Sequence, residues 1–261
     1  IIKNRKEVRR MNCDQMLNVV TEMGRILLQN GAEIHRVEES MQRICLAYGL
    51  ADSGVFAIST CIHVSFQDET GRNYSRIKRI RIRGIDLDRV ERANALCREI
   101  CADTPPLGEV ERRMKKLEEG KVYPFWVRIG GSVLVGGAFS LLFGGSLSDA
   151  CVAAVCGGAI RLVVEGLNRW KTNFMLVNFA ASAVGAALAV TAAKLGAPIH
   201  TDTVIIGALM NLVPGGALTN VMRDLLAEDF ISGILKLAEA LLIATAIALG
   251  TGFTMWALQA L

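Results

Sequence analysis

Apolar residues recur every three or four positions at Met16, Val19, Val20, Met23, Ile26 and Leu27, and again after Gly31 at Ile34, Val37, Met41, Ile44 and Tyr48. That spacing puts each set on one face of a 3.6-residue turn and predicts two amphipathic helices, the second stopped by Gly49. From Val55 the period falls to two. Ile62, Val64 and Phe66 alternate with Cys61, His63, Ser65 and Gln67, turn chemistry follows from Asp68 to Asn73, and Ile80 and Ile82 alternate with Arg79, Arg81 and Arg83. The pattern predicts a β-hairpin with one apolar and one polar face. Ile77 is out of phase with Ile80, so a bulge or strand edge is expected between them. Asp86 or Asp88 is positioned to cap a third helix through Val90, Ala93, Leu96, Cys97 and Ile100. Residues 107–119 read as a charged helix with Glu109 and Arg113, and Glu111 and Lys115, four apart. The order ααββα predicts a small α+β domain which, with its juxtamembrane helix, fills residues 1–122.

Beyond residue 123 the alternation gives way to long apolar stretches, roughly 124–144, 148–166, 174–194, 203–222 and 230–257. Each is near the ~20 residues that cross a bilayer as a helix. The expected fold is therefore a membrane protein: a small cytoplasmic α+β domain followed by a five-helix transmembrane bundle over residues 123–261. Charge sharpens the boundary. Residues 1–123 hold 22 basic and 18 acidic side chains and residues 124–261 hold seven of each, so the net +4 sits wholly in the first part. A wholly soluble or disordered chain is excluded, and so small a mixed-sign excess gives no ground for a nucleic-acid partner. Arg112, Arg113, Lys115, Lys116 and Lys121 precede the first stretch, Arg169 and Lys171 follow the second and Arg223 follows the fourth, whereas the alternate loops offer only Lys194. The basic-residue bias predicts a cytoplasmic N-terminus and an external C-terminus. Trp126, Trp170 and Trp256 fall at stretch ends, and paired glycines (Gly130-Gly131, Gly136-Gly137, Gly157-Gly158, Gly215-Gly216) predict close helix contacts in lipid.

Seven cysteines without paired spacing read as reduced thiols. The first ten residues are basic but lead into Asp14 and Glu22, so no signal peptide is expected. Cys61 with His63, and Cys97 with Cys101, lack further ligands to complete a zinc site, so no metal and no cofactor is expected. Arg79, Arg81 and Arg83 read as a solvated strand face, with anionic lipid or substrate as alternatives. Phosphate-cradling and nucleophile-elbow strings are absent from the sequence, which leaves nucleotide-driven pumping and hydrolase chemistry without support; the chain is not expected to be an enzyme.

Polar residues inside apolar stretches are costly and mark candidate sites. In the fourth stretch, Asn211-Leu212-Val213-Pro214-Gly215-Gly216 sets a residue without a backbone donor beside two glycines, and the helix should break or kink there. A break exposes half-helix amides that can hold a carboxylate; a packing kink filled by a neighbouring helix is the alternative. The candidate substrate-binding residues are Asn211, Pro214, Gly215, Gly216, Thr219 and Asn220. Arg223, Asp224 and Glu239 are candidates for a gate or for carrying a coupled proton. Lys236 with Glu239, and Arg161 with Glu165, read as neutralised structural pairs.

Gly31-Ala32-Glu33-Ile34-His35-Arg36-Val37-Glu38, the strand Ser59–Ser65, and above all Val213-Pro214-Gly215-Gly216-Ala217-Leu218-Thr219-Asn220-Val221-Met222-Arg223-Asp224-Leu225-Leu226 resemble the threonine/serine exporter family, in order and spacing over nearly the whole chain. The resemblance implies a cytoplasmic domain before five spans, with a second set of spans supplied by the same chain or by a separate small membrane protein. It makes this chain similar to the larger subunit of the split form, of which one member is associated with succinate export. The expected function is export of small carboxylate-bearing metabolites, threonine and serine or a dicarboxylate such as succinate, coupled to protons. The expected partners are that substrate, the lipid bilayer, and a second small membrane subunit or further copies of the chain. The competing reading is a membrane-anchored sensor or adaptor whose cytoplasmic domain binds a ligand.

Overall fold

A computed structural model describes residues 12–68, 70–80, 84–119 and 123–259. Arg81, Ile82, Arg83 and Lys121, on which parts of the sequence expectations fall, lie outside the described residues. The chain divides into two units: Ile1–Lys121 with Leu218–Lys236, and Val122–Ala217 with Leu237–Leu261.

The N-terminal unit is built around α1 (Cys13–Gln29), started by Asn12, whose side chain accepts from the amides of Asp14 and Gln15. Met16, Val19, Val20, Met23, Ile26 and Leu27 are all buried, which is the face the periodicity selects. Gly31, at φ +92°, reverses the chain into α2 (Ile34–Ala47), where Ile34, Val37, Met41 and Ile44 meet the same core. The sheet has three antiparallel strands in the order β1 (Ser53–Ile58), β2 (Cys61–Gln67), β3 (Asn73–Arg79), one more than the expected hairpin. The additional strand is β1, whose only fully buried side chain is Ala57, too small to leave an apolar stripe in the sequence. In the β2–β3 pairing His63 faces Ile77 and Cys61 faces Arg79. Alternation runs unbroken through β3, and the strand ends at Arg79, so Ile77 is exposed on the outer face while Ile80 is buried. The edge expected between them is that strand end. Asp86 caps α3 (Leu87–Asp103) by accepting from Arg89 N–H. In α4 (Leu107–Glu118) Glu109 pairs with Arg113 as expected, whereas Glu111 accepts from Gln15 and Asn18 of α1 and shows no pairing with Lys115. All seven cysteines are free thiols; burial pushes Cys45 up to about 11 and Cys97 up to about 12.

The second unit contains α5 (Phe125–Leu142), α6 (Leu147–Arg169), α7 (Phe174–Lys194), α8 (Thr201–Leu209) and most of α10 (Phe230–Gln259). Among the described residues four helices are long and apolar enough to cross a membrane: α5, α6, α7 and α10. The fourth apolar stretch of the sequence is not one continuous helix. It is divided into α8 and α9 (Gly215–Leu226) by a turn over 210–214, so the expected count of five spanning helices is not met by five long helices. Pro214 supplies the reason, since it has no N–H for a helical bond and its ring clashes with the preceding turn. Small residues set the packing. A Cβ on Gly136 would stand 2.5 Å from the Ala153 carbonyl oxygen, and one on Gly157 would stand 2.5 Å from that of Ser132, so α5 and α6 approach backbone to backbone. Leu134, Leu142, Val155 and Leu176 are left exposed on the outside, as lipid-facing residues are.

Candidate functional site

The N-terminal halves of α5 and α7, the C-terminal half of α6 and the turn after α8 line an open cavity of about 250 Å³ in the second unit. It is lined by Arg161, Val164 and Asn168 of α6, Ser132 of α5, Phe174 and Asn178 of α7, and Asn211 and Leu212 of the turn, among others. Arg161 lies eight residues before the end of α6, so at ~1.5 Å per residue it sits ~12 Å inside that end, deep in an apolar helix. An ionisable side chain there is a functional candidate by default.

Among the described residues Arg161 is the only ionisable side chain in the lining. Its Nη2 donates to Glu165 Oε1 at 2.7 Å, one helical turn further on, and Arg128 Nη1 of α5 donates to the same oxygen at 2.7 Å. Two guanidiniums thus share one carboxylate, a cluster of net +1. The Nε atoms of both arginines are buried and have no hydrogen-bond partner among the described residues. A guanidinium with a donor left without a partner among the described residues has the chemistry to take a carboxylate.

The amides add the opposite polarity. Asn211 donates through Nδ2 to the carbonyls of Ser132 and Ala208, both at 3.1 Å. Asn178 donates through Nδ2 to the Phe174 carbonyl at 2.7 Å. A carbonyl oxygen at hydrogen-bond distance requires the NH2 side of each amide, which leaves the two Oδ1 atoms as acceptors with no donor among the described residues. The cavity therefore offers a positive edge at Arg161 and two oxygen acceptors at Asn178 and Asn211.

Of the residues singled out in the fourth apolar stretch, Asn211 lines this cavity. Pro214, Gly215 and Gly216 form the junction into α9, where Gly215 N–H donates to the Val213 carbonyl at 2.9 Å. Thr219, Asn220, Arg223 and Asp224 lie on the part of α9 that groups with the N-terminal unit. There Asn220 Nδ2 donates to the Gly31 carbonyl at 3.4 Å and Arg223 pairs with Glu33 at 2.6 Å. Asp224 is almost fully buried and ion-paired with Lys236 at 2.6 Å. Lys236 is thus matched to a carboxylate twelve residues back. Glu239 is half-buried on α10. The expected Arg161–Glu165 pair is present, and Arg128 joins it beside the cavity. The four-residue spacing was visible in the sequence; the third member and the cavity come only with the packing of α5 on α6. Among the described residues no three His, Cys, Asp or Glu side chains come together as a metal site.

A family model described as "Putative threonine/serine exporter" (ThrE) matches residues 18–257. A protein of Mycobacterium tuberculosis named "Probable threonine/serine exporter" is 24% identical over 238 residues, which is 90% of this chain and 45% of that protein. A "Pheromone-regulated membrane protein 10" of Yarrowia lipolytica is 23% identical over 256 residues, 93% of this chain and 20% of that protein. The chain spans less than half the length of these curated relatives. No solved structure matches it.

Proposed function

Because the chain belongs to the threonine/serine exporter family, we propose that it is a subunit of a membrane exporter for small α-amino acids, with the α6–α7 cavity as the substrate site. The carrying observation is the pairing of chemistries in that cavity: Arg161 with an empty buried Nε, and Oδ1 acceptors on Asn178 and Asn211. A substrate carboxylate is held on the guanidinium edge, and the α-ammonium and a side-chain hydroxyl donate to the amide oxygens. The same polarity disfavours a dicarboxylate such as succinate, whose second carboxylate would bring charge against carbonyl oxygens with no donor to meet it. Threonine and serine are therefore favoured over succinate.

In this reading the turn through Pro214, Gly215 and Gly216 is the flexible joint that lets Asn211 move. Asn220 and Arg223 anchor α9 to the N-terminal unit, which lies in the cytoplasm. The coupled proton is carried by Asp224 or Glu239, the carboxylates on either side of the α9–α10 turn. A second set of membrane helices, from a separate small subunit or from a second copy, completes the transporter; Gly130 and Gly131 on α5 face open space and offer a flat approach for it. The membrane is the bacterial inner membrane, with the C-terminus outside.

Vesicles reconstituted with the chain, with and without the candidate second subunit, test the proposal by efflux of labelled L-threonine, L-serine and succinate. Expected are faster efflux of the amino acids than of succinate, and its loss in an Asn178→Leu, Asn211→Leu variant that still inserts. Succinate moving faster than threonine, or that variant matching the parent, would falsify the site.

A further inference from the structure

We infer that Glu165 is an internal competitor for the substrate carboxylate: in the empty site it occupies the edge of Arg161 that the substrate must take, and so sets how tightly the site binds. The inference rests on the cavity being the substrate site. A guanidinium clamps a carboxylate through two adjacent N–H groups along one edge. On Arg161 the edge formed by Nε and Nη2 has one donor empty and the other held by Glu165 Oε1 at 2.7 Å. A ligand carboxylate that takes this edge competes with Glu165 for Nη2.

Glu165 can give way without being stranded, because its Oε1 also accepts from Arg128 Nη1 at 2.7 Å. Binding is thereby an exchange of one carboxylate for another on the same donor, not the filling of a bare cation. The consequence runs in both directions. Loading gains only the difference between two charged hydrogen bonds, and release never leaves the guanidinium without a carboxylate to balance it. A transporter needs that balance, since a site that holds its cargo on an unopposed buried charge does not let go.

The sharing of one oxygen by two arginines makes opposite predictions for its two neighbours. Glu165→Gln removes the competing charge and leaves only a neutral acceptor, roughly half as strong; the substrate should then bind more tightly and leave more slowly. Arg128→Met gives Glu165 to Arg161 alone, and the substrate should bind more weakly. The experiment measures equilibrium binding and exchange of radiolabelled L-threonine on the purified full chain and its Arg161→Met, Glu165→Gln and Arg128→Met variants. Expected are loss of binding in Arg161→Met, a dissociation constant about tenfold lower with slower exchange in Glu165→Gln, and a raised dissociation constant in Arg128→Met. A parent that binds no threonine, or an Arg161→Met variant that binds it as the parent does, overturns the cavity site and the inference with it. Loss in Arg161→Met together with Glu165→Gln no tighter than the parent, or Arg128→Met no weaker, overturns the competition alone. Should Glu165→Gln not reach the membrane, the direction of the Arg128→Met change decides.

Discussion

Asp224 and Lys236 make a quantitative test of what holds α9 in the N-terminal unit. Their side chains are 1% and 14% exposed and 2.6 Å apart, and Asp224 Oδ1 is buried without a partner among the described residues. Replacing Asp224 with Ala leaves an ammonium in a site that excludes most water, a change that costs ~3–5 kcal/mol when one member of a buried pair is removed. Lys236 retains a little exposure and can lift its ammonium toward solvent, so the lower end of that range applies. At ~2–4 °C per kcal/mol for a chain of this size, the melting temperature should fall by about 6–12 °C. The double variant Asp224→Leu, Lys236→Met replaces the pair with apolar groups of similar volume and should recover most of the loss. Thermal melts of the detergent-solubilised full chain, parent, singles and double, give the coupling directly. A single variant melting within about 1 °C of the parent, or a double variant losing the sum of the two singles, would show that the pair contributes nothing and that α9 is held by other contacts.

Pro214→Ala removes the ~3 kcal/mol that proline sets against a continuous helix, while Gly215 and Gly216 still oppose it by ~1 kcal/mol each; threonine efflux should fall at normal expression, and unchanged efflux would reduce the turn to packing. Gly157→Ala places a Cβ 2.5 Å from the Ser132 carbonyl oxygen and 3.0 Å from Asn211 Nδ2, so melts should show ~1–3 kcal/mol of overpacking, whereas Gly166→Ala, which meets nothing within 4 Å, should not. The Glu38 carboxyl is raised above the ordinary range chiefly by burial, with Asp229 adding to the shift and the Ala57 N–H opposing it. A raised carboxyl lends stability while protonated and loses it as pH rises through its folded value, so Glu38→Gln, which keeps an acceptor for Ala57, should melt higher than the parent at neutral pH and converge on it in acid. No gain at neutral pH would contradict that sign. A protease site placed after Leu261 should be cut from outside intact cells, and protection there would reverse the orientation.

Local order was legible where it repeats at one period. The buried faces of α1, α2 and β2 are the ones their spacing selects, because burial on one side of a regular element forces that pattern. β1 was not legible, since a strand whose inward residue is Ala57 leaves no stripe. Among the site residues, Asn211 stood out because an amide beside a proline break is costly in an apolar stretch. Arg161 and Glu165 were equally visible, yet their spacing of four on one helix suggested that they satisfied each other. Only the approach of α5, allowed by Gly136 and Gly157, brings Arg128 to the same oxygen, and both Nε atoms are left without a partner among the described residues. The Asp224 pairing was missed for a related reason: Lys236 has Glu239 three residues ahead, while Asp224 reaches it across the turn at Glu228, whose φ is +64°. Spacing along one helix is readable from a sequence, and competition between partners on two helices is not.

Asp149, fully buried at the start of α6, accepts from the amide and hydroxyl of Ser146 at 2.7 and 2.8 Å and from the amide of His200 at 2.6 Å, and its Oδ2 lies 3.0 Å from His200 Nδ1. One side chain thereby rivets the loop before α6 to the head of α8. With its head fixed there, any tilt of α8 turns about that rim. From His200 to Asn211 the arm is ~16 Å long at helical rise, so a tilt of only ~10° about the rivet carries the Asn211 amide ~3 Å, about the width of one hydrogen bond.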